Sequence, residues 1–237
     1  MFNKKKKPLD TNERPSLVTL TRPSSVIAEQ FRTIRTNIQF SMVDKDLKTL
    51  VITSAGPGAG KSTISANLAV TFAMQGKKIL IVDADMRKPT VHKTFRLPNR
   101  DGLTTLLTER DVKIKDVAHQ LDTEGLFVIT SGVIPPNPSE LLASNRMNQL
   151  MLEFEELFDL IIFDMPPVIA VTDAQVMSSK ADGTIFVVNK DGADKEMVTK
   201  SKELLEKVKA NVIGVVFNRV ELKGDNYYYY YGQSEQI

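Results

Sequence analysis

The run Thr49–Ser54 leads without a break into Ala55-Gly56-Pro57-Gly58-Ala59-Gly60-Lys61-Ser62-Thr63, and an apolar pattern of helical period follows. A strand that ends in a small-residue loop and opens a helix restricts the possible folds more than anything else in this sequence, because it is the context of a phosphate-binding P-loop. Small residues let backbone N–H groups turn inward around an anion, and the helix N-terminus adds positive potential. Lys61 is placed to reach terminal phosphates and the Ser62 hydroxyl to bind Mg²⁺. Gly56, Pro57, Gly58, Ala59, Gly60, Lys61, Ser62 and Thr63 are therefore the candidate phosphate-binding set. The usual first glycine of such loops is Ala55 here, whose methyl is small enough for the cradle to survive on the flexibility of Gly56 and Gly58.

Around this loop, short β-rich runs alternate with helical stretches. The expected strands are 49–54, 78–83, 126–130, 159–164, 183–189 and 212–218, and the expected helices are 24–42, 62–75, 139–157, 174–180 and 194–210. Such alternation predicts an α/β fold with a doubly wound, mostly parallel sheet. With 237 residues, 42% hydrophobic, the chain is long enough for one large core. The expected organisation is a flexible basic segment 1–23, a domain 24–222 that opens with the helix 24–42, and a polar tail 223–237. In the opening helix, Val26, Ile27, Phe31, Ile34 and Ile38 are expected on one side, with Ser24 or Ser25 as N-cap.

In such a sheet, ligands bind outside the carboxyl ends of the strands. The second strand ends Val82-Asp83-Ala84-Asp85-Met86-Arg87, with two carboxylates at alternate positions, and the run 159–164 ends Asp164-Met165-Pro166-Pro167. These three acids and Ser62 are expected to meet around one Mg²⁺. Asn189-Lys190-Asp191-Gly192 looks like a guanine reader but has Gly192 where that motif needs an acid, which favours ATP. Asn218 and Arg219, ending the last strand, are candidates for adenine-side contacts or for a plain strand-end role.

The 31 basic and 29 acidic residues leave a formal net charge of +2, too balanced for a nucleic-acid-coating protein. There is no cysteine and only two histidines, so disulfides, thiolate metal sites and a zinc centre are not expected. No apolar run approaches the ~20 residues that span a bilayer. Lys4–Lys7 precede no apolar stretch, so the N-terminus does not read as a secretory signal; it can add weak attraction to an anionic membrane surface. All five tyrosines are consecutive, Tyr227, Tyr228, Tyr229, Tyr230 and Tyr231, outside any expected core element. Tyrosine is normally used in cores and interfaces. Here a string of phosphate acceptors fits better than a sticky recognition tail, since each phosphate adds about −1.5 to −2 charge. A phenol of pKa ~10 needs a nearby base, and Asp83 or Asp85 can supply it.

On the P-loop, the motif Val82–Thr90, Asp164–Pro167, Pro135-Pro136-Asn137-Pro138 and the tyrosine cluster, the chain resembles the bacterial tyrosine kinases (BY-kinases) of capsule and exopolysaccharide export, specifically the cytoplasmic Firmicute type. Their P-loop fold is of the ParA/MinD-like type. Lys61 is expected to act in catalysis by neutralising charge on the transferring group, and the resemblance implies that Asp83 activates the acceptor tyrosine while Ser62, Asp85 and Asp164 organise Mg²⁺ directly or through water. It implies autophosphorylation between subunits of a ring-shaped octamer, built through a Glu-x-x-Arg-x-x-Arg motif that here reads Glu29, Arg32 and Arg35. Also implied are protein tyrosine substrates, a transmembrane activator that holds the chain at the inner face of the cell membrane, and a cognate tyrosine phosphatase. Two rival readings remain. One is a ParA/MinD-like ATPase switch, disfavoured by Gly56 where such proteins carry a lysine; the other is a weakly catalytic adaptor whose tail is a binding module.

Overall fold

A computed structural model describes residues 17–42, 46–190 and 194–220. In chain order its elements are α1 (Val18–Thr21), α2 (Val26–Phe40), β1 (Thr49–Ser54), α3 (Lys61–Ala73), β2 (Ile79–Asp83), α4 (Val91–Phe95), α5 (Leu103–Thr108) and α6 (Ile114–Val117). They continue with β3 (His119–Gln120), β4 (Leu126–Ile129), α7 (Pro138–Ala143), α8 (Asn145–Leu157), β5 (Leu160–Asp164), α9 (Asp173–Ser178), β6 (Gly183–Asn189), α10 (Lys195–Lys207) and β7 (Val212–Asn218).

The strands form one sheet in the order β3-β4-β2-β5-β1-β6-β7, parallel throughout except for the antiparallel β3. β1, β2 and β5 are buried at every position, as expected for strands covered on both faces. Alternate side chains supply two cores. Val51, Leu80, Val82, Ile161 and Phe163 pack with residues of α5 to α10, whereas Leu50, Ile52, Ile79, Ile81 and Ile162 pack with α2 and α3. α3 follows the P-loop and is buried along nearly its whole length.

Three expectations are corrected. Residues 17–23 are part of the domain, not of a flexible segment: Thr19 is buried, and its backbone N–H and hydroxyl both donate to Asn67 Oδ1 on α3 (3.1 and 2.9 Å). The single helix expected over 139–157 is two, because Ser144 adopts extended backbone and its Oγ accepts from Met147 N–H, starting α8 afresh. In α2, Ser25 is the N-cap and Ala28, Phe31 and Ile38 are buried as a stripe, but Ile27 is 52% exposed. Among the described residues no helix is long and apolar enough to cross a membrane.

Candidate active site

The carboxyl ends of β1, β2 and β5 meet at the P-loop. β5 lies between β1 and β2, and Asp83 and Asp164 are register partners on adjacent strands. Both side chains are fully buried. The Ala84 N–H donates to the Asp164 carbonyl (3.0 Å), extending the pairing one residue past the strand.

Each carboxylate is held by one oxygen. Asp83 Oδ2 accepts from the N–H groups of Thr90 (3.0 Å) and Val91 (2.9 Å), where the chain turns back into α4. Asp164 Oδ1 accepts from the Ser65 hydroxyl on α3 (3.0 Å). Asp83 Oδ1 and Asp164 Oδ2 are buried and have no hydrogen-bond partner among the described residues. Buried acceptors are costly to leave unmatched, so the pair is suited to a cation or a donor arriving from outside the chain. Burial, followed by the neighbouring Asp164 carboxylate, holds Asp83 well above the usual carboxylate range. Burial also pushes Asp164 up to about 6, against the pull of Lys61 and of hydrogen bonds from Ser62 and Ser65.

Asp85, the third expected acid, is displaced from this pair. Two residues beyond β2 the chain turns, and Asp85 Oδ1 caps the N–H of Lys88 (3.0 Å), so it acts on Asp83 and Asp164 only through its charge. Among the described residues no three acidic, histidine or cysteine side chains gather as a metal-binding group. The expected three-acid meeting is thus a buried pair with Asp85 at its rim. Ser62, at the start of α3, does reach the pair: it bonds to Asp164, and its Oγ accepts from the Thr90 hydroxyl (2.7 Å).

The loop has the shape expected of it. Gly58 and Gly60 have φ of +75° and +91°, Lys61 is buried, and Asn218 Nδ2 donates to the Ala59 carbonyl (2.9 Å). A Cβ on Gly60 would lie 2.1 Å from that Nδ2, so glycine is required both by the backbone angle and by the close approach. Asn218 therefore braces the P-loop from β7. Arg219 is exposed beside it, and its N–H donates to Asn218 Oδ1.

Sequence reasoning missed Thr90, Ser65 and a clamp behind the site. Arg87 donates to the buried Asp173 through Nε (2.9 Å) and Nη2 (3.1 Å), and Ser139 bonds to both. This ties the loop after β2 to α7 and α9. Thr90 lies within the motif that ends β2, which was a signal to look there; no local pattern announces a contact between residues 86 apart. Glu29 and Arg32 pair with each other on the exposed side of α2, while Arg35 turns inward to donate to the Thr71 carbonyl (2.9 Å). The tyrosines 227–231, Asp191 and Gly192 lie outside the described residues.

Residues 46–227 match the ParA family, described as NUBPL iron-transfer P-loop NTPases. The tyrosine-protein kinase YwqD of Bacillus subtilis (strain 168) is 46% identical over 94% of this chain and 93% of its own length. Among solved structures, the chimerical protein CapA2B2 shares 46% identity with a TM-score of 0.84, covering 89% of this chain and 92% of that one. The kinase domain of the Escherichia coli tyrosine kinase ETK shares 32% with a TM-score of 0.81, covering 88% and 83%. The septum site-determining protein MinD of Pyrococcus horikoshii OT3, solved with Mg-ADP, shares 20% with a TM-score of 0.60 over 76% of this chain and 75% of that one, a likeness of fold alone. The P-loop, the strand-end carboxylates and a likeness that spans nearly both chains lead to one conclusion: this chain belongs to the bacterial tyrosine kinase (BY-kinase) family, in its Firmicute form, on a ParA-type P-loop NTPase fold.

Proposed function

We propose that this chain is an ATP-dependent protein-tyrosine kinase that phosphorylates its own Tyr227–Tyr231 cluster, between subunits of a ring, and so regulates capsule or exopolysaccharide synthesis with a transmembrane activator. The observation that carries this reading is the buried Asp83–Asp164 pair beside the P-loop, each carboxylate keeping one oxygen unpartnered among the described residues. Backbone N–H groups of the loop 56–63, Pro57 excepted, bind the triphosphate of ATP, and Lys61 pairs with its terminal phosphate. Ser62 and Asp164, with Asp85 at the rim, would hold Mg²⁺, which would supply positive charge to neutralise the transferring group.

Asp83 is the base. Its Oδ2 is fixed by two N–H groups, which leaves Oδ1 to take the phenol proton of the acceptor tyrosine. As that proton moves, the phenol oxygen bonds to the terminal phosphorus, the bond to the bridging oxygen breaks and ADP leaves. Burial and a like-charged neighbour raise the proton affinity of Asp83, the direction that favours a carboxylate taking up a phenol proton. The exposed Glu29–Arg32 pair and Ile27 on α2 offer a mixed surface for subunit contact; Arg35, bonded to α3, fixes the helix that presents it. A tyrosine phosphatase is the partner that would reset the tail.

Intact mass after incubation with Mg·ATP tests the proposal, comparing the native sequence, Lys61→Met and a chain with Tyr227–Tyr231 changed to Phe. Stepwise gains of phosphate in the native sequence alone support it. Steady ATP hydrolysis without mass gain, even with an activator fragment present, sinks it in favour of a ParA/MinD-like switch.

A further inference from the structure

Residues 87–100 carry Arg87, Lys88, Lys93, Arg96 and Arg100 and no acid, in a chain whose basic and acidic residues otherwise nearly cancel. All five are exposed, and of the five only Arg87 has an ion-pair partner among the described residues, Asp173. Like charges gathered without compensation repel one another and favour an anionic partner.

The path of this strip is fixed at both ends. It begins at Asp83, where the N–H groups of Thr90 and Val91 hold Oδ2, and it ends where Asn99 exchanges two hydrogen bonds with Gly132 (3.1 Å each). Gly132 follows the carboxyl end of β4, the neighbour of β2, so the strip runs along two adjacent strand ends, about 5 Å apart. Beside its far end, Val133 and Ile134 are 66% and 57% exposed, and Pro135 and Pro136 follow. Cations thus adjoin an apolar ledge, a surface suited to a ligand that is both aromatic and strongly anionic.

Building on the proposed tail phosphorylation, we infer that this strip binds the segment Tyr227–Tyr231 of a neighbouring copy once one of its tyrosines carries phosphate. The phosphate sits against Lys93, Arg96 and Arg100, with the rings on Val133 and Ile134. Charge complementarity selects this occupant: each phosphate adds about −1.5 to −2 charge to a cluster that holds every tyrosine of the chain. Consecutive residues of an extended chain are about 3.3–3.6 Å apart. A phosphotyrosine on the strip therefore holds the next acceptor within a few residues of Asp83, and transfers follow one another without release of the tail.

The test uses two synthetic peptides of residues 221–237, one unmodified and one with phosphate on Tyr230. Their affinities are measured by fluorescence anisotropy against the full chain carrying Tyr227–Tyr231→Phe, so that its own tail cannot take phosphate. The phosphopeptide is expected to bind at least ~10-fold tighter, and the preference is expected to fall below about twofold in K93Q/R96N/R100Q. Asn at 96 tolerates the left-handed backbone there. Should the triple variant not fold, K93Q/R100Q, which spares that turn, is read the same way with a partial loss. Equal affinity of the two peptides, or a preference that survives the substitutions, overturns the inference. A second readout is the product distribution: with the native tail, the triple variant should keep its rate of first transfer but accumulate the singly phosphorylated form. Because the peptide's phosphate is installed chemically, phosphopeptide binding by the Tyr→Phe chain together with no mass gain by the native sequence in Mg·ATP rejects the kinase proposal and leaves this surface standing.

Discussion

Asp83 and Asp164 occupy equivalent places on adjacent strands, yet their substitutions should act differently. Asp83→Asn keeps the shape and both N–H contacts but removes the proton acceptor, so tail phosphorylation should fall by about 10²–10⁴-fold with nucleotide affinity little changed; phosphopeptide mass spectrometry and calorimetry check the two halves. Asp164 bears on stability as well. Burial raises its proton affinity in the folded chain from the ordinary 3.8 to about 6. The folded state therefore binds the proton more tightly than the unfolded one. The stability this gives is fully present below about pH 4 and is lost as pH rises through about 6. At about 1.4 kcal/mol per pKa unit, the loss is roughly 2 to 3 kcal/mol. Nucleotide-free Asp164→Asn should thus melt above the native chain near pH 7.5, with the gap closing toward pH 4; a gap independent of pH would contradict this origin. At the loop, Gly60→Ala places a methyl 2.1 Å from Asn218 Nδ2 on a backbone with φ of +91°. It should cost at least ~10-fold in nucleotide affinity, and adding Asn218→Ala should restore only part, since the clash is relieved and the backbone strain is not.

Single elements carry their own predictions. Ser25→Ala removes the N-cap of α2 and should cost about 1 kcal/mol in thermal denaturation. Arg87→Ala leaves the buried Asp173 carboxylate with Ser139 and without its cation, which should cost about 2–4 kcal/mol, somewhat less than a fully buried pair because Arg87 itself is 39% exposed. The same elements show where the sequence could be read. The P-loop and the acids ending β2 and β5 were legible because a continuous apolar run of strand length passes directly into a glycine turn after β1 and into a carboxylate at the ends of β2 and β5. The break between α7 and α8 was not, since Leu142, Met147, Leu150, Met151 and Phe154 keep an almost unbroken helical stripe across Ser144. Two-residue β3 and the short helices α1 and α4 to α6 offer too few residues for any period to register. The rim position of Asp85 was equally hidden: alternation puts Asp83 and Asp85 on one face only while the strand lasts, and β2 ends at Asp83.

Across the whole molecule, strand order sets the distance that the tyrosines would have to cover in the proposed self-phosphorylation. β7, from whose end the chain continues to Tyr227, is four strands from β2, about 19 Å at ~4.8 Å per step. The nine residues from Asn218 to Tyr227 span at most ~30 Å. Length permits transfer within one chain, so the direction needs a mixing experiment. A Lys61→Met copy with its tyrosines should gain phosphate when mixed with an active copy carrying Tyr227–Tyr231→Phe, and no gain would exclude transfer between copies. The strip of one copy can neutralise a first phosphate on its neighbour's tail, but as the number rises toward five the excess charge repels, so the proposed assembly is expected to come apart only on multiple phosphorylation and to re-form after phosphatase treatment, as light scattering would show. The two edges of the sheet also differ in kind. β3 closes one with an antiparallel pairing, whereas β7 pairs, among the described residues, with β6 as its one strand partner and exposes Val212, Val215 and Phe217. In amide hydrogen exchange, β1 and β5 should therefore be protected up to global unfolding, while β7 opens locally and exchanges first. Asn218 would leave the P-loop in each such opening, so the slow proton clock of an edge strand would also time the loosening of the nucleotide cradle.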